Sequence, residues 1–311
     1  MATSGSYDYS TNRTAIIKRA LKIMGVLEAG DEPSSEDYTD CAIALNGMIK
    51  QWMADGFKLW KIREATVFLT PGTASYSLGT SGSHASLSAV KTELGADAAT
   101  SATSLTVDSI AGISASDTIG VVLNDGTIHW DTVSGSPSGT TVTLTTGLSG
   151  AASTDAHVYA YTTRLVRPLR VRSARRRDSA ENDTPLLSWS RDEYFDTPNK
   201  TSQGTPTAIY YDPQLNSGVL YVWQAPNSAN DRILIDVDVP IEDLDSATDE
   251  PDFPQEWYNA LSWGLAFEMR LDYAVPVEIM ARIEAGAPAY KDRLLGWDTE
   301  PESAYFVPNM G

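Results

Sequence analysis

Seven arginines lie close together in an otherwise acidic chain, and their spacing is the clearest indication of chemistry in the sequence. From Arg167 to Arg172, arginines alternate with Leu169 and Val171, interrupted by Pro168, a pattern typical of a strand with one basic face. Guanidinium groups gathered on one face bind phosphate or carboxylate oxygens. The sequence therefore predicts an arginine strip that binds anions and consists of Arg164, Arg167, Arg170, Arg172, Arg175, Arg176 and Arg177.

The arginine strip has three possible partners: carboxylates of a neighbouring subunit, DNA phosphates, or solvent alone. The net charge of −18 favours carboxylates over DNA, because an acidic chain repels nucleic acid and offers acidic surfaces to other copies of itself. We therefore expect a subunit interface in which the strip faces Asp243, Asp245 and Asp249. A solvated strand face is the alternative that needs no partner.

An acidic linker supplies those aspartates and permits a second chemistry. Paired carboxylates hydrolyse glycosides when one of them is buried enough to stay protonated. The same residues also suit a solvated linker that leads into a helix, since acids complement the dipole at a helix N-terminus. Glycan hydrolysis is therefore the enzymatic alternative for the linker residues Glu242, Asp243, Asp245, Asp249, Glu250 and Asp252.

Other catalytic and metal-binding signatures are missing from the sequence. It contains no Walker pattern, no Gly-x-Gly-x-x-Gly after a strand, no Gly-x-Ser-x-Gly and no His-Glu-x-x-His. Its single cysteine, Cys41, excludes an intrachain disulfide, and its three histidines are scattered. We therefore expect a protein without enzymatic activity, metal or cofactor.

Length and composition indicate a folded protein. The 311 residues, 42% of them hydrophobic, suffice for one large or two ordinary domains. With 41 acidic against 23 basic residues, tight binding of duplex DNA is not expected. Residues 1–10 lack the basic start and apolar core of an export signal, and no run of about 18 apolar residues occurs. The sequence predicts a chain that is made in the cytoplasm and does not enter a membrane.

The elements that must position these residues change type along the chain. Helical spacing predicts a helix from Asn12 to Met24, a second helix capped by Ser34 or Ser35, and further helices after Pro254. Helices at both ends with strands between them indicate an α+β fold in which the ends form one helical bundle. The helical body is expected at residues 1–60 and 251–295.

A β domain is expected between the helical ends. Alternating apolar residues and turn signals place an antiparallel sheet domain at residues 61–90 and 164–250. Residues 91–163 are rich in Thr, Ser, Ala, Gly and Val and have no basic residue after Lys91, which predicts an inserted small β-barrel. Residues 296–311 form an extended tail whose aromatic anchors are Trp297, Tyr305 and Phe306.

Several separate segments resemble one known family. Three of them read AIIKRALKIMGV at residues 15–26, LNGMIKQWMADG at 45–56 and PQEWYNALSWGLAFEMRLDY at 254–273. Two shorter ones read RPLRV at 167–171 and RDEYF at 191–195. These segments are similar to the head-to-tail adaptors of short-tailed bacteriophages, the family of tail tubular protein A and of the tail accessory factors that stabilise packaged DNA. The block at residues 91–163 departs from the smallest members.

The resemblance implies a structural protein of the virion. Such adaptors form a ring, usually a dodecamer, that docks under the portal protein, extends the DNA channel, retains packaged DNA and receives the tail nozzle or fibre protein. It further implies assembly in the host bacterial cytoplasm, passage of double-stranded DNA without sequence-specific binding, and docking of the C-terminal tail on the portal. A minor capsid or fibre-attachment protein is the remaining structural alternative.

Overall fold

A computed structural model describes residues 9–55 and 59–295 of the chain. The predicted portal-docking residues Trp297, Tyr305 and Phe306 lie outside the described residues. The chain divides into two compact units: a helical unit, which runs up to Trp60 and resumes at Ile241, and a sheet unit from Lys61 to Pro240. An α+β fold with mostly antiparallel sheets is confirmed.

Four of the five α-helices in the described residues belong to the helical unit. Asn12 caps the first helix, because its Oδ1 accepts a hydrogen bond from the backbone N–H of Ala15 at 2.9 Å. Short 3-10 turns occupy Leu59–Lys61 and Gln255–Trp257. The α-helices are α1 Arg13–Ile23, α2 Ser35–Asp55, α3 Arg191–Asp196, α4 Tyr258–Met269 and α5 Val277–Leu295.

Helix α4 is central to the helical unit. It packs against α1, α2 and α5, and its buried residues lie on every side of the helix. A helix that is apolar all round is typical of such an interior position. Gly264 permits the close approach of α2, because a Cβ at this position would lie only 2.6 Å from Met48 Sδ and 2.8 Å from the Trp52 ring. The two chain ends thus share one core.

The segment at residues 241–250 belongs to the helical unit and not, as predicted, to the sheet domain. Lys50 Nζ donates to the Ile241 carbonyl at 2.9 Å, and the Arg13 guanidinium donates to the Leu244 carbonyl at 2.8 Å. Asn46 Oδ1 also accepts from the Leu244 N–H at 3.0 Å. These bonds from α1 and α2 attach the linker to the helices. The sheet unit therefore ends at Pro240, ten residues earlier than predicted.

The sheet unit contains all strands of the described residues. They are β1 Ile62–Phe68, β2 Ser75–Leu78, β3 Ala85–Ser86, β4 Ala89–Glu93, β5 Ser104–Thr106, β6 Thr118–Val122, β7 Ile128–Thr132, β8 Thr141–Thr143, β9 His157–Tyr161, β10 Arg170–Arg177, β11 Asp183–Pro185, β12 Leu187–Ser188, β13 Gln203–Gly204, β14 Ala208–Asp212, β15 Gly218–Trp223, β16 Ala225–Pro226 and β17 Arg232–Asp238.

Two sheets form the main body of the sheet unit. One has the strand order β11-β10-β17-β1-β3, and the other has the order β12-β14-β15-β2. Alternate residues of both sheets, such as Val67, Ile233, Leu220 and Val222, point into one shared apolar core. Strands β1 and β17 pair from Ile62↔Asp238 onward, so the two ends of the unit lie side by side.

Helix α3 covers part of the second sheet. The Ser190 side chain accepts from the Glu193 N–H at 3.3 Å, and Glu193 accepts in return from the Ser190 N–H at 2.6 Å, which is a capping box. The helix lays Tyr194 on Tyr210 and Tyr221, with ring centroids 5.9 and 4.8 Å apart. The RDEYF segment is therefore a short helix that seals the sheet.

The insertion forms two small sheets around its own apolar core. Four strands pair in the order β4-β9-β6-β7, and β5 pairs with β8. Single bridges, Leu94↔Val107 and Val133↔Leu144, join the two sheets. A continuous closed barrel is not confirmed in residues 91–163, all of which the structure describes, because only isolated bridges join the β5–β8 pair to the four-stranded sheet.

The insertion packs firmly on the rest of the sheet unit. Phe68 of β1 contacts Tyr159 and Tyr161 of the insertion, with ring centroids 5.0 and 5.9 Å apart. These three residues and Val122 are buried in a common cluster with Ala229. The block that the sequence marks as separate is therefore part of the same compact unit as the sheets.

Candidate assembly surfaces

Most of the arginine strip lies on β10, an inner strand between β11 and β17. Strand β10 begins at Arg170, has a β-bulge between Val171 and Ser173, and buries Ala174 in the core of the sheet unit. The bulge interrupts the simple alternation that the sequence suggests, because it changes which neighbours face the core. Neighbouring strands therefore determine what each arginine contacts.

The outer face of β10 pairs its arginines with carboxylates on adjacent strands. Arg177 binds Asp183 through two nitrogens, Nε at 2.7 Å and Nη2 at 2.8 Å. Arg175 donates to Asp183 at 3.1 Å and also pairs with Glu64 of β1. Asp236 of β17 lies 3.6 Å from the Arg175 guanidinium. These bonds form a cross-strand ion-pair network within one chain.

Two further arginines of the strip have partners in the same chain. Arg172 Nε donates at 2.6 Å to Asp238, whose side chain is almost fully buried. Arg176 Nη1 donates at 2.9 Å to Asp231. Both pairs are sheltered on at least one side, so removal of one partner would leave a poorly solvated charge. Four members of the strip thus bind carboxylates of their own chain.

The other three arginines differ in their surroundings. Arg164 donates to the Gly82 carbonyl at 2.8 Å and to the Tyr161 hydroxyl at 3.3 Å. Within the described part of the chain, Arg167 and Arg170 form neither an ion pair nor a hydrogen bond through their side chains, and Arg170 is exposed. The predicted role of the whole strip in a subunit interface stays a prediction, and these two residues are the ones available for it.

The linker aspartates are also bound within the helical unit. Asp243 pairs with Lys50, and the Asp249 carboxylate accepts from the Ser246 N–H at 2.6 Å. Arg13 donates its backbone N–H to the Asp249 carbonyl at 2.8 Å and its guanidinium to the Asp245 carbonyl at 3.0 Å. Arg13 and Lys50 lie far from the linker in the sequence, which is why the pattern alone could not reveal them as its partners.

No sequence pattern points to Glu181, although this residue joins the insertion to the sheets. It accepts from Arg232 at 2.6 Å and from Lys91 at 3.0 Å. Burial opposes ionisation of Glu181, but the hydrogen bond from Lys91 and the charge of Arg232 outweigh it, so its pKa is lowered. Arg232 also lies over the Tyr159 ring, 5.4 Å from the centroid. Glu181 therefore stabilises the seam between strands β4, β9 and β17.

A half-buried histidine lies at another contact between the insertion and the sheets. His84 stacks on Trp130 with ring centroids 3.8 Å apart, and its Nδ1 lies 2.6 Å from the Tyr161 hydroxyl. Burial, reinforced by the nearby charge of Arg164, lowers the pKa of His84 to about 4. A small cavity of about 120 Å³ adjoins His84, Trp130 and Phe68. The histidine is therefore neutral at pH 7 and serves the packing of the insertion.

The arginine strip, the acidic linker, Glu181 and His84 thus form ion pairs, hydrogen bonds and packing contacts. No family model matches the chain, and no curated protein does. In residues 9–55 and 59–295, no group of three or more His, Cys, Asp and Glu side chains is placed to hold a metal ion, and no helix is long and apolar enough to cross a membrane.

Proposed function

We propose that the protein is a structural head-to-tail connector of a tailed bacteriophage. In this proposal, twelve copies form a ring under the portal protein, extend the DNA channel, retain packaged DNA and receive the tail nozzle or fibre protein at the head–tail junction of the virion. The chain ends form the helical bundle of each subunit, and the insertion acts as a small barrel-like module on the sheet domain.

The observation that carries this proposal is the helical unit built from both ends of the chain. The three helical segments that resemble the adaptor family fall in α1, α2 and α4, and these helices pack on one another. Segments far apart in sequence thus meet in one core, as a common family architecture requires. The resemblance and the packing support the same division into a helical body and an inserted β part.

The charge of the chain supports a passive relation to DNA. A net charge of −18 gives walls that repel phosphates and let DNA slide past, whereas a protein that grips DNA needs basic surfaces. Four arginines of the strip are neutralised by carboxylates of their own chain, which further reduces the basic surface. DNA is therefore proposed as a passing partner only.

A role without catalysis is supported by the surroundings of the acidic linker. A glycosidase of the predicted kind needs one carboxylic acid buried enough to remain protonated. Every acidic residue from Glu242 to Glu256 is exposed or half-buried. Asp249 accepts from the Ser246 N–H, and Asp243 pairs with Lys50. The linker is better suited to joining the two ends of the chain.

The proposal is tested by mixing the full chain with the portal protein encoded by the same viral genome. Negative-stain images should then show rings with twelvefold symmetry on one face of the portal, while mass photometry of the dilute chain alone should show monomers. Addition of the chain to bacterial cell walls provides the enzymatic control. A chain that forms no ring with the portal, or that clears cell walls, would contradict the proposal.

The C-terminal tail is proposed to dock on the portal through Trp297, Tyr305 and Phe306. Buried aromatic side chains tend to dominate interface energy, at about 2 kcal/mol or more each. Truncation after Leu295 should therefore weaken portal binding strongly and leave the circular dichroism of the fold unchanged. Unchanged affinity after truncation would leave the helical unit as the docking surface.

A further inference from the structure

A basic groove lies in the helical unit between α1 and α5. It has a volume of about 320 Å³, and Ile23, Trp263, Ile279 and Ile283 give it an apolar floor. Its charged rim consists of Arg19, Lys22 and Arg282, all exposed. Among the residues that the structure describes, none of these three forms an ion pair.

An acidic groove lies in the same unit, between α2 and the end of α4. It has a volume of about 490 Å³. Its rim carries Glu36, Asp40 and Asp272, which also form no ion pair in the described part of the chain. Ile43 lines this groove with 68% of its surface exposed, and the neighbouring Leu271 is 69% exposed.

The two grooves differ from the charged surfaces described above. In the arginine strip and the acidic linker, most charges have partners within the chain. In each groove, by contrast, charges of a single sign face solvent beside apolar side chains. Exposed apolar surface rimmed by charge is typical of a protein interaction site. The rims carry opposite signs, and each groove offers an apolar centre for the other.

We infer that the basic groove of one copy docks against the acidic groove of the next copy. Arg19, Lys22 and Arg282 would pair with Glu36, Asp40 and Asp272, and Ile43 would enter the apolar floor of the basic groove. Because the two grooves are different surfaces of one chain, the contact is head-to-tail, the type that generates a ring when its rotation closes. The inference rests on the proposed function, since it identifies the subunit contact of that ring.

The net charge does not prevent this contact. At physiological ionic strength, charges more than about 8 Å apart are largely screened, while pairs at an interface remain attractive. Repulsion between whole copies therefore slows their encounter but acts weakly at the contact itself. Docking of a second copy also explains why the helical unit carries both a basic and an acidic groove. A purely basic or purely acidic partner would need only one of them.

Two charge-reversed variants of the full chain test the contact. R19E/R282E makes the basic groove acidic, and D40K/D272K makes the acidic groove basic. The four side chains are exposed and unpaired within the described residues, so the fold should be retained by circular dichroism. Sedimentation velocity over a range of high protein concentrations should show self-association weakened about 10- to 100-fold in each variant alone.

Mixing the two variants provides the decisive measurement. An equimolar mixture should associate within about tenfold of the wild type, because every contact in it again joins opposite charges. Matched controls with the same change of charge, R63E/R293E and D196K/E242K, alter exposed residues outside the grooves and should associate like the wild type. Equal losses in the controls, or no recovery in the mixture, would overturn the inference.

Two further results separate this inference from its alternatives. A chain truncated after Leu295 should self-associate normally, and loss of association in that chain alone would assign the basic groove to the acidic C-terminal tail. A wild type that stays monomeric at every concentration would also overturn the groove contact. Rings of wild type on the portal together with normal rings of both groove variants would overturn the contact while the connector function stands.

Discussion

At the scale of single residues, burial and a neighbouring cation determine the state of His84. Its Nδ1 lies 2.6 Å from the Tyr161 hydroxyl, which accepts a hydrogen bond from Arg164 at 3.3 Å. Both burial and the charge of Arg164 favour the neutral ring. Protonation of His84 would place a second positive charge near Arg164.

Acid should destabilise the sheet unit in part through His84. Its pKa in the folded chain is about 4, below the ordinary value of 6.5, so the unfolded state binds the proton first. The stabilisation is complete above pH 6.5 and is lost as pH falls toward 4. Urea denaturation should show that H84Q costs less stability at pH 4.5 than at pH 7, by about 1–3 kcal/mol. A cost independent of pH would contradict this.

Arg232 should contribute more to stability than an exposed arginine of the same unit. Its side chain is nearly buried, binds Glu181 and covers the Tyr159 ring. R232A should lower the free energy of unfolding by about 2–4 kcal/mol, because it removes packing and leaves Glu181 with one cation fewer. The matched control R170A should change it by less than about 0.5 kcal/mol. Similar costs in urea denaturation would refute the role of the Glu181 seam.

The candidate site could be predicted from the sequence only in part. The alternation from Arg167 to Arg172 predicts a strand with a basic face, and strand β10 contains only the last three of these residues before it continues to Arg177. The partners Glu64, Asp183 and Asp238 could not be predicted, since strand order and register bring them to β10. The sequence also could not predict that the charges of the two grooves are unpaired, because pairing depends on the whole fold.

At the scale of elements, two glycines on neighbouring helices should respond in opposite ways to the same change. Gly264 of α4 faces Met48 and Trp52 of α2, whereas a Cβ at Gly47 of α2 would meet nothing within 4 Å. G264A should destabilise the helical unit by about 1–3 kcal/mol through overpacking. G47A should stabilise it by up to about 1 kcal/mol through helix propensity. Thermal unfolding followed at 222 nm would detect both, and equal signs would contradict the packing.

Elements with strong local signals were the most predictable part of the fold. The expected helix at Asn12–Met24 appears as Arg13–Ile23, because the Asn12 cap and the positive φ of Gly25 define its ends. The insertion was correctly placed as antiparallel β structure. Its closure was not predictable, since it depends on whether the short strands β5 and β8 continue the ladder beyond single bridges.

At the scale of the whole molecule, the sheet unit should fold on its own. Its two ends lie on paired strands, and the Val239 N–H donates to the Lys61 carbonyl at 3.0 Å. A segment with adjacent ends and its own apolar cores has what an autonomous domain needs. Residues 61–240 expressed alone should show a β-type circular dichroism spectrum and a cooperative urea transition. A fragment without such a transition would show that the helical unit is required.

The helical unit, by contrast, is completed late during synthesis. Helices α1 and α2 leave the ribosome first, but α4, which fills their core, follows only after Lys61–Pro240. At about 5–20 residues per second, the ribosome needs roughly 10–40 s for that stretch. During this period the apolar faces of α1 and α2 lack α4, while the sheet unit is synthesised and folds. Translation speed through the β region therefore sets how long these helices are exposed to chaperones and to other nascent chains.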